Sequence, residues 1–155
     1  VEHLHGNCRL EFVGIADEQL LARYFSKDIV NVHAVPDPQY SSFVQWMSKE
    51  CKWHIGLAPL VDDLFNASKS DLKFLDYSIN SMASICSDVP SYKHTVKHKE
   101  NGLLVADDAQ AWTNALIELA DDKILREKVR KNAFDYVIHN RLLKNSVENF
   151  AQILS

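Results

Sequence analysis

Lys69 and Lys73 stand four residues apart where an apolar run gives way to a helical pattern, and Asp76 follows three residues later. Two ammonium groups at that spacing share one side of a helix. If a helix starts at this point, its unpaired amides carry the positive end of the helix dipole, and the polar residues Asn66, Ser68, Ser70 and Asp71 surround them. Such a cluster can hold an anion. Asp76, about one turn deeper, can accept hydrogen bonds from neutral hydroxyls such as those of a ribose. Phosphate near the helix start and hydroxyls one turn further describe a nucleotide. The same residues also fit a solvated helix start with a Lys–Asp pair, and spacing alone leaves both readings open.

The elements that must position these residues follow an α/β pattern of short β-branched or aromatic runs alternating with helical periods. Strands are predicted at Leu10 to Ile15, Ile29 to Val35, Trp53 to Leu60, Ala83 to Cys86 and Leu103 to Val105. Helices are predicted from Asp17 to Phe25, over Tyr40, Phe43, Val44 and Met47, and from a cap at Ser68 or Ser70 to about Ser81. Val89 to Glu100 reads as a short irregular or helical link, and Asn101-Gly102 as a turn. Asp108 and Asp121-Asp122 should open two further helices, and a last one should run from about 141 to 154. The expected architecture is a Rossmann-like three-layer sandwich: a mostly parallel sheet of about five strands, with C-terminal helices. In such sheets ligands sit beyond the carboxyl ends of the strands, which adds Gly14 to the candidate site.

Composition removes several alternatives. The chain of 155 residues carries 17 basic and 21 acidic side chains, a net charge of −4. A nucleic-acid coat needs a clustered cationic surface, so no nucleic acid is expected as a partner. Four glycines, at 6, 14, 56 and 102, cannot build GxGxxG or GxxxxGK[ST]. No run is apolar and long enough to suggest a membrane span or secretory signal. Three widely spaced cysteines, Cys8, Cys51 and Cys86, suit reduced thiols packed in the core. The expected location is cytoplasmic, either free or peripheral at the inner face of the membrane.

Beyond these physical signals, the segment from Trp53 to Tyr92, continuing through Asn101 to Val105 and Trp112, resembles the C-terminal, donor-binding half of group 1 (family 4) glycosyltransferases of GT-B architecture. Ile55-Gly56-Leu57-Ala58-Pro59-Leu60 resembles the strand written there as DIGLAPL, with His54 at the position of the aspartate. Phe65-Asn66, Lys69-Ser70 and Lys73-Phe74-Leu75-Asp76-Tyr77 resemble FN..KS..K.LEY. Ser87 to Tyr92 resembles SDVPPY, and Asn101 to Val105 resembles NGLLV. Trp112, Leu125-Arg126 and Asn132-Ala133 fit the closing helices.

The resemblance implies a retaining transfer from a nucleoside diphosphate sugar to a glycan or glycolipid acceptor, as in polysaccharide biosynthesis, without a metal or other cofactor. Lys69 or Lys73 would serve the leaving diphosphate, and Asp76 the ribose. The family's two acidic residues, separated by seven intervening positions, fall here at Ser68 and Asp76, so the first carries no charge. The glycine and proline usual after the helix correspond to Ser81 and Ala83. Residues 1–155 then read as one nucleotide-sugar-binding domain, a fragment not active alone, whose partner would be the N-terminal acceptor domain of a parent chain. A degenerate, non-catalytic interaction module is the alternative, and a receiver-like signalling domain ranks last because Val13-Gly14-Ile15 lacks its acidic cluster.

Other constellations are weaker. His3, His5 and Cys8, or His94 and His98 at i, i+4, fall short of the four ligands of a structural zinc. The basic group Lys93, His94, Lys97, His98 and Lys99 reads as a solvated face or as a contact for an anionic acceptor, a membrane surface or donor phosphate. Trp112 and Phe150 sit at core-packing spacing. His54 is expected beside the sheet.

Overall fold

A computed structural model describes residues 8–14, 17–34, 37 and 39–142. The chain divides into two compact units, Val1–Cys51 and Lys52–Ser155.

The first unit is a β-α-β turn of chain followed by a helix. Strands β1 (Leu10–Val13) and β2 (Val30–His33) pair in parallel, with Leu10 opposite Val30 and Val13 opposite His33. Helix α1 (Glu18–Tyr24) connects them, opened by Asp17, whose carboxylate accepts the amides of Gln19 and Leu20 at 2.9 and 3.0 Å. A single 3-10 turn, Lys27–Ile29, occupies the start of the strand expected from Ile29, so β2 begins one residue later. Gly14 ends β1 with φ 91°, a left-handed conformation that glycine adopts at no steric cost, and its amide donates to the His33 carbonyl at 3.0 Å. Helix α2 (Tyr40–Glu50) follows, with Met47 buried.

The second unit contains strands β3 (Ile55–Ala58), β4 (Ala83–Ser87) and β5 (Leu103–Val105), a parallel sheet in that order. Helix α3 (Leu64–Ala67) and helix α4 (Leu72–Ile79) lie between β3 and β4, and helix α5 (Pro90–Lys93) lies between β4 and β5. Helix α6 (Ala109–Asp121) and helix α7 (Lys123–Asn140) complete it. The caps of α6 and α7 are the expected ones: Asp108 accepts from Gln110 and Ala111, and Asp122 from Leu125.

Period-2 alternation sorts the strand side chains onto two faces. Ala58 and Cys86 join Phe74 of α4, Tyr92 of α5 and Ala133 of α7. Ala83, Ile85, Leu103 and Val105 join Ala115 and Leu119 of α6 and Val129 of α7. Helix α7 therefore feeds both faces of the sheet, and the unit has three layers. Full burial of a side chain such as Phe74, Ile85 or Leu103 contributes about 1.5–3 kcal/mol.

The α/β class and the parallel pairing match the sequence reading, as does β5, residue for residue. Among the described residues the parallel strands pair as a sheet of two in the first unit and a sheet of three in the second, each smaller than the expected sheet of about five. A strand pattern shows which residues face a core but does not encode which backbone edges meet. The helix expected from a cap at Ser68 or Ser70 to about Ser81 is α4, which starts at Leu72 with Asp71 at its N-cap position; Ser68 instead ends the separate short helix α3, which the sequence reading did not include. His54 is exposed rather than packed. Arg141 does not open a last helix; it is the C-cap of α7, and the rest of the expected helix over 141–154 lies outside the described residues.

Candidate functional site

The carboxyl ends of β3 and β4 are tied together where the candidate loop begins. The Leu60 amide donates to Ser87 Oγ at 2.7 Å. Asp63 then opens α3 by accepting the Asn66 amide at 2.6 Å and the Asn66 side-chain Nδ2 at 3.0 Å. These bonds hold Asn66 in a buried position, and its carbonyl accepts from Ser91 Oγ at 2.5 Å. The loops after β3 and β4 are thus one hydrogen-bonded body. Two of the words picked out in the sequence, Phe65-Asn66 and Ser87 to Tyr92, meet through that Ser91–Asn66 contact.

Ser68 is exposed at the end of α3, and its hydroxyl donates to the Leu64 carbonyl at 3.4 Å. Lys69 and Ser70 are exposed in the link to α4, with the Lys69 ammonium 4.9 Å from the centre of the Phe65 ring. Lys73 is exposed in the first turn of α4, whereas Asp76 is buried at 5% exposure. Lys73 and Asp76 thus lie at different depths, the lysine at the surface and the carboxylate inside. Gly14 belongs to the first unit.

Asp71 behaves differently from the loop contact its position suggests. It occupies the N-cap position of α4 but makes no side-chain cap bond. Its carboxylate instead accepts Thr95 Oγ1 at 2.6 Å and both terminal nitrogens of Arg141, at 2.6 and 2.9 Å. Such a two-pronged guanidinium pair is among the stronger charge-assisted contacts. Burial alone would raise the Asp71 carboxyl, but the hydrogen bonds from Arg141 and Thr95 and the guanidinium charge outweigh it and hold the group below the usual carboxylate range. The Asp71 hydrogen bond in turn raises Arg141. Thr95 is fixed from behind, since Asn101 Nδ2 donates to its carbonyl at 3.0 Å and Asn101 Oδ1 accepts the Lys97 amide at 2.7 Å.

The sequence signals Asp71 but gives no sign of Arg141, which lies 70 residues away. The basic group at 93–99 resolves into local pairs: Lys93 with Asp88, Lys97 with Glu100, and Lys99 with Glu118. Among the described residues no group of three His, Cys, Asp or Glu side chains is arranged to hold a metal, and no helix is long and apolar enough to cross a membrane.

This geometry is a Rossmann-like sheet end with a helix start beside two lysines. Residues 73–136, from the first turn of α4 into α7, match the model of the family described as Glycosyl transferases group 1, in agreement with the resemblance read from the sequence. Solved structures carry the same fold over nearly the whole chain. Sucrose-phosphate synthase from Thermosynechococcus elongatus is 20% identical, with a TM-score of 0.70 over 94% of this chain and 37% of its own. Anabaena HepE, solved in complex with UDP and glucose, is 12% identical, with a TM-score of 0.69 over 94% of this chain and 40% of its own. The C-terminal domain of the group 1 family protein LpcC from Francisella tularensis is 20% identical, with a TM-score of 0.59 over 81% of this chain and 60% of its own. The chain thus spans about two fifths of the first two proteins and 60% of the third. No curated protein sequence matches it.

Proposed function

We propose that this chain is the donor-binding part of a glycosyltransferase that transfers a sugar from a nucleoside diphosphate sugar to a glycan or glycolipid acceptor, with retention at the anomeric carbon. The observation that carries the reading is the match to Glycosyl transferases group 1, which begins at Lys73 and includes Asp76. In this reading the first turn of α4, with Lys69 and Lys73, receives the diphosphate. Asn66, Ser68 and Ser70 supply polar contacts from the loop, and Asp76 accepts from the ribose. Negative charge grows on the departing diphosphate as the glycosidic bond stretches. Fixed amides and ammonium groups stabilise that charge without having to reorganise. The acceptor site would belong to an N-terminal domain of a longer chain, in the cytoplasm or at the inner face of a membrane, in polysaccharide biosynthesis.

Differential scanning fluorimetry with UDP, GDP and ADP tests the reading. At least one should raise the melting temperature, and Lys73→Ala should remove the rise. No shift with any of them counts against donor binding.

The uncharged Ser68 at the family's first acidic position favours a second reading, a non-catalytic module that keeps the shell of the fold. The two part in an assay of the parent chain: the module transfers no sugar even beside its acceptor domain.

A further inference from the structure

Asp71 poses an electrostatic problem for the site just described. A carboxylate at the N-cap position of α4 lies next to the helix turn that would receive a diphosphate, and two anions so placed repel each other strongly in a partly buried environment. A capping carboxylate would also occupy the very amides an anion needs. The structure removes both obstacles at once. Arg141, at the C-cap of α7, takes both oxygens of Asp71, and Thr95 takes one of them again. The carboxylate makes no cap bond to the helix start, and its charge is matched by a guanidinium.

We propose that Arg141 is a positioning residue of the donor site: by holding and neutralising Asp71 it keeps that carboxylate off the N-terminus of α4 and leaves the helix start electropositive toward the nucleotide's phosphates. The inference rests on the donor-binding reading and adds to it a residue from the far end of α7. It also explains why an aspartate is compatible with an anion site here. The Asp71 side chain is 7% exposed and that of Arg141 33%, so the carboxylate is the buried member of the pair. Arg141 acts through Asp71 and needs no contact with the ligand.

The test is isothermal titration of UDP, GDP and ADP into the 155-residue chain and three variants, each first checked for a cooperative melt. Arg141→Gln leaves Asp71 charged and unmatched, and should weaken binding of whichever nucleotide the unmodified chain takes by about tenfold. Adding Asp71→Asn to Arg141→Gln removes the stranded charge and should recover affinity to within about threefold of the unmodified chain, even though the ion pair is gone. A purely structural pair gives no such recovery. Arg141→Lys keeps the charge and should bind better than Arg141→Gln. If Arg141→Gln does not fold, the double variant and Arg141→Lys still decide, both being expected near the unmodified affinity. Unchanged affinity in a folded Arg141→Gln chain, or no recovery in the double variant, overturns this inference alone. No binding of any of the three nucleotides by the unmodified chain overturns the donor-binding reading and this inference with it.

Discussion

The Tyr77 hydroxyl donates to the Leu57 carbonyl at 2.7 Å, and one residue earlier on the same strand Gly56 presents its bare Cα to the Tyr77 ring. A Cβ at position 56 would fall inside that ring, so the glycine is required by close approach and not by its backbone angles. This seam joins α4 to β3 and sets the height at which α4 begins relative to the strand end. Burial pushes the Tyr77 phenol well above its ordinary range, in keeping with a neutral hydroxyl held as a donor.

Gly56→Ala should therefore destabilise the chain by about 1–3 kcal/mol through overpacking. Tyr77→Phe, which keeps the ring and removes only the hydroxyl bond, should cost about 1 kcal/mol. Urea denaturation checks both, and the expected order is glycine first.

Ser81 has φ 58°, in the left-handed region, and follows the C-cap of α4. The family resemblance leads one to expect glycine there, and the backbone keeps the conformation although the residue differs. Holding a side chain in that region costs about 1–2 kcal/mol, offset in part for a glycine by its larger loss of chain entropy. Ser81→Gly should raise stability by about 0.5–1 kcal/mol. A fall in the denaturation midpoint would show that Ser81 makes a compensating contact.

Legibility of the fold follows the range of the forces. Strand β5, the Asp108 and Asp122 caps and the apolar stripes of α4 and α6 depend on neighbours within a few residues, and all can be read from the sequence. The break between α3 and α4 is also local, yet Ser68 looks like a starting cap when it is an ending one. A small hydroxyl residue suits either end, and only the Asp63–Asn66 bonds show that a separate turn of helix has already formed. The Asp71–Arg141 pair is different in kind. It joins the start of α4 to the end of α7, and nothing in one sequence pairs one arginine with one aspartate 70 residues away. The local elements are thus legible in the sequence, whereas the charge balance between Asp71 and Arg141 is not.

Because the folded Asp71 carboxyl is held below its unfolded value, it contributes stability that is present above the unfolded pKa, about 3.9, and is lost as pH falls through the folded value. Asp71→Asn should cost about 2–3 kcal/mol at neutral pH. The difference from the unmodified chain should narrow below about pH 4, where the carboxyl in the unfolded chain is already protonated. Urea midpoints at pH 7 and at pH 3, about the limits of that window, measure the effect. A gap that stays constant between the two would assign the loss to packing and not to charge.

The three cysteines are reduced thiols, and only Cys8 is even partly exposed. Burial raises the Cys86 thiol to about 12, which leaves almost no thiolate at neutral pH, and the thiolate is the reactive form. Iodoacetamide should label Cys8 first under native conditions, and Cys51 and Cys86 only in denaturant. Peptide mass mapping after a time course reads the order directly. Early labelling of Cys86 would mean that the sheet face formed with Phe74 and Tyr92 opens in solution.

Lys69 and Lys73 are alike in sequence but differ in where they stand relative to α4. The Lys69 ammonium lies over the Phe65 ring, a contact worth about 0.5–1 kcal/mol at an exposed site, so turning it toward an anion sacrifices part of the gain. Lys73 sits in the first helical turn of α4, where its positive charge adds to that of the helix N-terminus. On the donor-binding reading, Lys73→Ala should weaken nucleotide affinity by about tenfold and Lys69→Ala by about threefold or less. Both residues are exposed, so neither change should shift the melting temperature of the unliganded chain by more than a degree or two, roughly the effect of ±0.5 kcal/mol. Titration of the two variants with the same nucleotide checks the ranking. The reverse order would show that the Lys69 side chain leaves Phe65 on binding and would move the phosphate site from α4 toward the end of α3.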